Sequence, residues 1–312
     1  MIHLPDAPDR RRPLVGYAMV WTAALLFALN GTVSKVVLES GISTIELTQV
    51  RSLGACVGFA LLLAILRPAS LRVTRRELPF LLLFGLTGVA FVQWLYFVAI
   101  ARLPVGIALL IQYLAPLLVA LWARYAMHED VRRRIWVALA LALAGLALVV
   151  QPWGESLALD GLGVAAALAA AVAYAVYILL AERGVRRRDP FSLTLYGFLF
   201  AGLFWAAFQP LWLFPAAHVG GRTSLLGNLD AYSAPVWLLL AFVVAVGTML
   251  TFGLVVSALR HVSATRVGIV AMLEPVVATL IAYLWLAEAL GPLQLAGGGV
   301  VLAGILLAQT AR

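Results

Sequence analysis

Charge is scarce in this sequence, and several kinds of site are excluded by what it lacks. Only 12% of its 312 residues are charged, whereas about 25% are charged in an average soluble domain. Lysine occurs once, as Lys35, and cysteine once, as Cys56. A single cysteine excludes a disulfide within these residues and a metal cluster held by cysteines. With 64% hydrophobic residues, the composition also excludes an ordinary water-soluble domain.

Strict alternation of apolar and polar residues, which a membrane β-barrel requires, is also missing. The apolar residues instead form runs of about twenty, the length of helix that crosses about 30 Å of hydrocarbon. Helices satisfy their own backbone hydrogen bonds in lipid. We therefore predict an all-α polytopic membrane protein. Its ten transmembrane helices are expected at about 15–38, 45–66, 78–101, 104–124, 135–152, 160–181, 192–214, 236–259, 264–286 and 291–310.

The sequence lacks the usual catalytic patterns. It contains no GxSxG, no HExxH and no pair of aspartates in the middle of the apolar runs, and its four histidines have no ligand spacing. An enzyme within the membrane would need a nucleophile with its base, or a metal site, at a common depth. We predict that the protein is not an enzyme and has no catalytic residue, metal or cofactor; an intramembrane enzyme is the remote alternative.

Basic residues are distributed unequally between the two predicted faces of the membrane. If the N-terminus is cytoplasmic, eighteen of the 22 basic residues fall on the cytoplasmic side. The other four are Lys35, Arg51, Arg102 and Arg222. This bias follows the positive-inside rule and explains the net charge of +8 without a nucleic-acid partner. It predicts a multi-pass protein of the cell inner (plasma) membrane, with both termini cytoplasmic and residues 1–14 as a short N-terminal arm.

Two parts of the chain resemble each other at a spacing of 159 positions. Leu114, Pro116, Leu121, Ala123, Glu129, Ala144, Gly145 and Leu148 recur as Leu273, Pro275, Leu280, Ala282, Glu288, Ala303, Gly304 and Leu307. We predict two repeats of five helices, at 15–152 and 160–310. Because five is odd, the second repeat must enter the membrane from the opposite side. Inverted repeats of this kind are typical of transporters that work by alternating access, with the substrate near the midplane.

The repeated runs also carry a family resemblance. VGIALLIQYLAPLLVALWARYAMHE and VGIVAMLEPVVATLIAYLWLAE each precede a helix that contains glycine. ALLFALNGTVSK and AAAVAYAVYILLAERG begin the two halves. The chain resembles, over about 15–310, the paired EamA domains of the ten-helix drug/metabolite transporter superfamily. That resemblance implies export of amino acids or related metabolites, often driven by a proton gradient.

Glu274 is the carboxylate nearest the middle of a predicted span, and it precedes Pro275. A charged group there is costly unless it is paired, protonated or hydrated. It is therefore a candidate for proton coupling or substrate contact; the alternative is a neutral carboxyl bonded to the Ala271 carbonyl that Pro275 leaves without a donor. The first repeat has Ala115 at the equivalent position. Pro116 and Pro275 interrupt helical hydrogen bonding at matching depths, so both are hinge candidates.

Four more charged residues lie near the predicted outer face. Arg51 could bind a substrate carboxylate, or it could pair with Glu46. We expect Lys35 to extend to the membrane interface and Glu288 to be solvated there, with pairing at a gate as the alternative. The substrate-binding candidates are polar or aromatic residues at middle depth: Asn30, Arg51, Gln93, Trp94, Tyr96, Gln112, Tyr113, Tyr174, Tyr177 and Glu274.

The sequence thus predicts an inner-membrane exporter of small amphipathic metabolites, with an amino acid as the first expectation. The partners expected are a small-molecule substrate, the lipid bilayer and a proton gradient, and the expected state is a monomer. Two alternatives stay open: a facilitator without proton coupling, and a carrier of nucleotide sugars or lipid head groups. We expect residues 215–235, the longest outer loop, to be a mobile connection.

Overall fold

A computed structural model describes residues 13–125, 133–150, 159–185, 187–210, 212, 214, 216–258, 261, 270–271 and 273–310. Its first five helices are α1 (Pro13–Glu39), α2 (Thr44–Leu66), α3 (Leu78–Ile100), α4 (Val105–Gln112 and Ala115–Tyr125) and α5 (Arg133–Val150). The other five are α6 (Gly161–Val185), α7 (Pro190–Phe208), α8 (Val236–Val244, Ala245–Leu250 and Thr251–Ala258), α9 (Leu273–Leu286) and α10 (Pro292–Thr310).

These ten helices confirm the predicted fold class. Within the described residues, six helices are long and apolar enough to cross a membrane, and four shorter apolar helical segments complete the set. Large apolar side chains such as Leu61, Ile65 and Leu284 remain exposed on the outside of the bundle, as expected for surfaces that face lipid. One predicted boundary differs clearly: α7 ends at Phe208 instead of near 214.

Helix contacts repeat with a shift of five helices. Helix α3 packs against α6, and its counterpart α8 packs against α1. Likewise α4 packs against α6, and α9 packs against α1. The pairs α2 with α7, α4 with α9, and α5 with α10 each join a helix to its own counterpart. Such an exchange is what a two-fold relation between two five-helix repeats produces, and the odd number of helices makes the repeats inverted.

Irregular backbone also recurs in equivalent helices. The third helix of each repeat contains a π-helical turn, Phe84–Ala90 in α3 and Ala245–Leu250 in α8. Helix α4 stops at Gln112 and restarts at Ala115. Pro116 has no N–H to donate to the Gln112 carbonyl four residues earlier, so the break occurs where the proline removes a hydrogen bond. Both kinds of irregularity lie inside the bundle, where they give side chains a local change of direction.

The connection between α7 and α8, predicted as a mobile outer loop, contains regular structure in the residues described. It contains one helical turn, Ala216–Val219, and a hairpin of β1 (Arg222–Ser224) and β2 (Ser233–Pro235). The Trp285 Nε1 donates to the Leu225 carbonyl at 2.7 Å. The Asn228 side chain donates to the Leu284 carbonyl at 3.0 Å. These bonds attach the hairpin to the outer end of α9.

Glycines allow α5 and α10 to pack with their backbones in contact. A Cβ added to Gly297 would lie 2.7 Å from the Gly145 carbonyl oxygen and 3.0 Å from the Val149 nitrogen. A Cβ on Gly304 would lie 2.8 Å from the Ala138 carbonyl oxygen. Close approach at small residues is the principal way in which membrane helices associate. The α5–α10 contact therefore depends on the absence of these side chains.

We predict that Gly297→Ala destabilises the protein by about 2 kcal/mol, because the new methyl group would overlap backbone atoms of α5. The thermal midpoint in detergent should fall by about 5 °C. Gly299→Ala is the matched control on the same helix, since nothing lies within 4 Å of a Cβ placed there. Equal midpoints for the two variants would contradict this packing.

Candidate functional site

Arg51 is buried in the bundle and is only partly paired. Its Nε donates to the Thr248 Oγ1 at 2.8 Å, and its guanidinium lies 5.6 Å from the centre of the Phe97 ring. Thr248 in turn donates to the Val243 carbonyl at 2.8 Å, a bond that the π-helical turn of α8 makes possible. The two terminal nitrogens of Arg51 make no hydrogen bond to any residue that the structure describes. Pairing with Glu46 is not observed, since Glu46 caps α2 at Ser43.

Glu274 is held by Tyr113 from the facing helix. The Tyr113 hydroxyl lies 2.7 Å from the Glu274 Oε2 and 3.1 Å from the Ala271 carbonyl oxygen. Tyr113 belongs to the break in α4, and Ala271 is the residue whose helical donor Pro275 removes. The Tyr113 hydroxyl is thus a second group, beside the Glu274 carboxyl considered above, that can donate to the Ala271 carbonyl. One hydroxyl proton serves two acceptors.

Arg51 and Glu274 form no direct ion pair within 4 Å, but each lies within range of the other's charge. Tyr96 and Tyr174 also lie within range of the Glu274 carboxylate. Arg51 belongs to α2 and Glu274 to α9, so one charge comes from each repeat. In a medium of low dielectric constant such a pair interacts far more strongly than it would in water.

Uncharged polar side chains are also buried on α1, α3 and α4. Asn30, Gln93 and Gln112 are each less than 10% exposed, and their side-chain oxygens have no partner among the described residues. Asn30 lies against Gly247 so closely that a Cβ there would overlap its amide. The Tyr96 hydroxyl faces Gly31. Buried polar atoms are normally hydrogen-bonded, so this group of amide oxygens is suited to a ligand that carries donors.

Aromatic side chains border the polar group on the α6 side. Tyr174 and Tyr177 stack with their ring centres 5.9 Å apart, and Tyr177 stacks on Phe84 at 5.4 Å. Trp94 is separate, because its ring packs 5.3 Å from Trp205 in the apolar cluster between α2, α3 and α7. Contacts or charge interactions thus connect six of the ten binding candidates: Arg51, Tyr96, Tyr113, Tyr174, Tyr177 and Glu274. Gln93 and Gln112 lie on the same helices as Tyr96 and Tyr113, whereas Trp94 packs on Trp205 of α7.

The outer ends of three helices are joined by a second charged group. The Lys35 ammonium forms an ion pair with the Glu288 Oε1 and donates to the Leu103 carbonyl at 3.1 Å. The Glu288 Oε2 accepts from the Val105 amide at 2.9 Å. Glu288 is therefore paired, as in the alternative of pairing at a gate, and Lys35 pairs with it instead of extending to the interface. Lys35 and Glu288 are far apart in the sequence, so local patterns do not indicate the pairing. The only signal for it is that the inverted repeats put both residues at the same predicted face of the membrane.

Two cavities in the described part of the chain lie apart from Arg51, Glu274 and the buried amide side chains. One, of about 170 Å³, is lined by apolar residues of α4, α5 and α6, and the other, of about 400 Å³, is bordered by α1, α2, α7 and α8. Leu143 and Val172 in the first cavity are more than half exposed. Both cavities thus face lipid-exposed surfaces, and neither includes a residue of the polar group.

Comparison with known proteins places this arrangement in context. The model of the EamA-like transporter family matches residues 14–151 and again residues 161–310. An uncharacterized transporter of Archaeoglobus fulgidus is 30% identical over 292 residues, which are 93% of this chain and 94% of that protein. The threonine/homoserine exporter RhtA of Escherichia coli K12 is 28% identical over 255 residues, 81% of this chain and 79% of that one.

A more distant relative and a solved structure extend the comparison. The pseudopaline exporter CntI of Pseudomonas aeruginosa is 24% identical over 133 residues, which are 43% of this chain and 46% of that protein. One crystal structure matches 94% of this chain and 96% of its own, with a TM-score of 0.58 and 20% sequence identity. At that identity the likeness concerns the fold alone.

We predict that Thr248→Val destabilises the protein by about 1–3 kcal/mol, because it leaves a buried guanidinium nitrogen without its acceptor. Valine keeps the shape of threonine, so packing changes little. The measurement is the thermal midpoint in detergent. Thr251→Val is the matched control: Thr251 is equally buried but bonds only to backbone carbonyls of α8. A midpoint lowered equally by both substitutions would argue against a dependence on Arg51.

Proposed function

Because the chain belongs to the EamA-like transporter family, we propose that it exports amino acids across the membrane by alternating access. The protein is a multi-pass membrane protein, and the bias of its basic residues supports a cytoplasmic position for both termini. The two repeats would move against each other about the site between them that contains Arg51 and Glu274. The threonine/homoserine exporter RhtA, to which the chain is similar over most of its length, supports this class of substrate.

The observation that carries the proposal is that Arg51 and Glu274, one from each repeat, lie inside the bundle within range of each other's charge. An α-amino acid presents a carboxylate and an ammonium group on neighbouring atoms. The terminal nitrogens of Arg51 can bind the carboxylate bidentately, and the Glu274 carboxylate is the acceptor for the ammonium group. A substrate with both charges neutralises both residues at once, whereas a substrate with one charge leaves the other residue buried without a partner.

The remaining groups would orient the substrate. Amide oxygens of Asn30, Gln93 and Gln112 provide further acceptors, and the stacked Tyr174 and Tyr177 provide an apolar wall with hydroxyl groups. Trp94 is left out of the proposed site, because it packs on Trp205. The site is therefore small and polar at one side, which suits a compact amino acid.

Proton coupling follows if Glu274 binds either a proton or the substrate ammonium group. On the outer side Glu274 takes up a proton after the substrate has left, and on the inner side it loses the proton as the next substrate binds. The two ligands then exclude each other, which is the requirement for antiport. A facilitator would lack this competition.

Through Tyr113, protonation of Glu274 would change the hydrogen bonding of the backbone at Ala271. When Glu274 is ionised, the single hydroxyl proton of Tyr113 is drawn to the carboxylate, because bonds to charged acceptors are the stronger ones. When Glu274 is protonated, that proton is free to satisfy the Ala271 carbonyl. Protonation would thereby change hydrogen bonding at the Pro275 hinge candidate of α9, while Pro116 keeps a matching break in α4.

We predict efflux of threonine or homoserine from proteoliposomes that is stimulated by a pH gradient, acid outside. Glu274→Gln should abolish the stimulation, because glutamine binds no proton at neutral pH. Arg51→Gln should lower the transport rate at limiting substrate by about 100-fold, the effect of losing a charge-assisted bond. Arg102→Gln is the control, since Arg102 is an exposed basic residue paired with Asp160.

Several outcomes would contradict this function. Efflux of amino acids that ignores the gradient and survives Glu274→Gln would make the protein a facilitator. Absence of efflux for a full panel of amino acids would refute the substrate class and favour a carrier of nucleotide sugars or lipid head groups. An Arg102→Gln effect as large as that of Arg51→Gln would show that general charge, and not the buried site, determines transport.

A further inference from the structure

A partly buried set of polar groups closes one end of the bundle, on the outer side of the site that contains Arg51 and Glu274. It consists of the Lys35 ammonium, the Glu288 carboxylate and the Val105 amide, and it is called the outer latch below. Glu288 receives the ion pair from Lys35 on one oxygen and the bond from Val105 on the other. Lys35 also donates to the Leu103 carbonyl. Both oxygens of one carboxylate are thus used to join separate helices.

The outer latch joins the same helices that carry the site. Lys35 belongs to α1, Val105 begins α4, and Glu288 follows the end of α9. Below it, α1 carries Asn30, and α4 and α9 carry the bonded pair of Tyr113 and Glu274. A path from the site to this face of the membrane that runs between these three helices must break the latch. The latch is therefore positioned to control access.

Another helix pair is fastened at both ends and is unsuited to opening. At the outer end, the Gln209 side chain donates to the Glu46 Oε1 at 2.6 Å, and the Gln49 side chain donates to the Gln209 carbonyl at 2.7 Å. At the opposite end, Arg67 donates to Asp189 at 2.9 Å. These bonds hold α2 to α7 at both ends. Movement at the outer face is accordingly expected beside α1, α4 and α9.

The burial of the latch makes it able to exist in two states. The Lys35 and Glu288 side chains are 18% and 14% exposed, so water screens their attraction only partly while the latch is closed. When the helices separate, water hydrates both charges, and this hydration offsets much of the lost attraction. The nearby pair of Arg102 and Asp160 is 44% and 40% exposed, and a pair so exposed to water contributes little.

The hairpin of β1 and β2 would move together with this latch. Its Leu225 carbonyl and its Asn228 side chain are bonded to Trp285 and Leu284 in the last turn of α9, three and four residues before Glu288 in the chain. Gly227, with φ at +53°, lies against the backbone of Leu286. The hairpin thereby covers the outer end of α9 without bonding across to α4 at the latch, so it need not unfold for the latch to open.

We propose that Lys35, Glu288 and the Val105 amide form the outer gate of the transport path, closed in this structure and broken in the outward-open state. The inference rests on alternating access but requires neither an amino-acid substrate nor proton coupling. Loss of the latch should shift the protein towards the outward-open state, because the closed state alone contains these bonds.

The test is the labelling of one cysteine in the site from each side of the membrane. Cys56 is replaced by serine and Gln112 by cysteine, and a membrane-impermeant maleimide is added to right-side-out or inside-out vesicles. Lys35→Met and Glu288→Gln should each raise labelling from the outside by about tenfold, a population shift of about 1.4 kcal/mol. Glu288→Ala should raise it further, since glutamine can still accept from the Val105 amide.

Labelling from the inside separates gating from unfolding. A shift between two states lowers inside labelling as outside labelling rises, whereas a misfolded protein is labelled more from both sides. The double variant Lys35→Met/Glu288→Gln should be labelled to the same extent as either single variant, because each substitution breaks the same ion pair. Arg102→Met is the control and should leave labelling unchanged. Outside labelling that the latch variants leave unchanged, or that rises together with inside labelling, would overturn the proposal.

The same data remain informative if the proposed cargo is wrong. Labelling requires no substrate, so failure of amino-acid efflux leaves the gate testable. Conversely, amino-acid efflux together with unchanged labelling would retain the proposed function and reject the gate.

Discussion

The structure depends on holding two opposite charges, the buried Arg51 and the half-buried Glu274, inside a bundle whose core is largely apolar. A single charge in such surroundings costs several kcal/mol unless it is paired or hydrated. Each of these charges therefore has fixed neighbours: Arg51 has Thr248 and the Phe97 ring, and Glu274 has Tyr113. The π-helical turn of α8 and the break in α4 supply these neighbours. Two of the irregular segments thus supply partners to charged side chains.

The two repeats share one architecture, whereas the candidate coupling carboxylate is present in only one of them. The repeats share their helix contacts and their π-helical turns, which makes two related packings of the bundle possible. Glu274, by contrast, has Ala115 at its equivalent position, so the carboxylate is present in one repeat only. A symmetric bundle with one asymmetric carboxylate can alternate between two states and still bind one proton or one substrate at a time.

The ten helices could be predicted from the sequence, because a long apolar run is a property of consecutive residues. Sequence reasoning also predicted the break near Pro116, since a missing N–H is a local property, and it identified Arg51, Tyr113 and Glu274 as unusual at their depth. It failed for Lys35 and Glu288, whose partnership depends on how α1 and α9 pack and not on either local sequence. The hairpin between α7 and α8 was missed for the same reason, as its order comes from bonds to α9.

Proton release on substrate binding is the measurement that tests the central claim most directly. Threonine is added to the purified protein in a weakly buffered solution with a pH indicator, at a pH where part of Glu274 is protonated. If the proton and the ammonium group compete for Glu274, binding should release up to about one proton per threonine, and Glu274→Gln should release none. Threonine binding without proton release, or with the same release from the Glu274→Gln variant, would contradict the account.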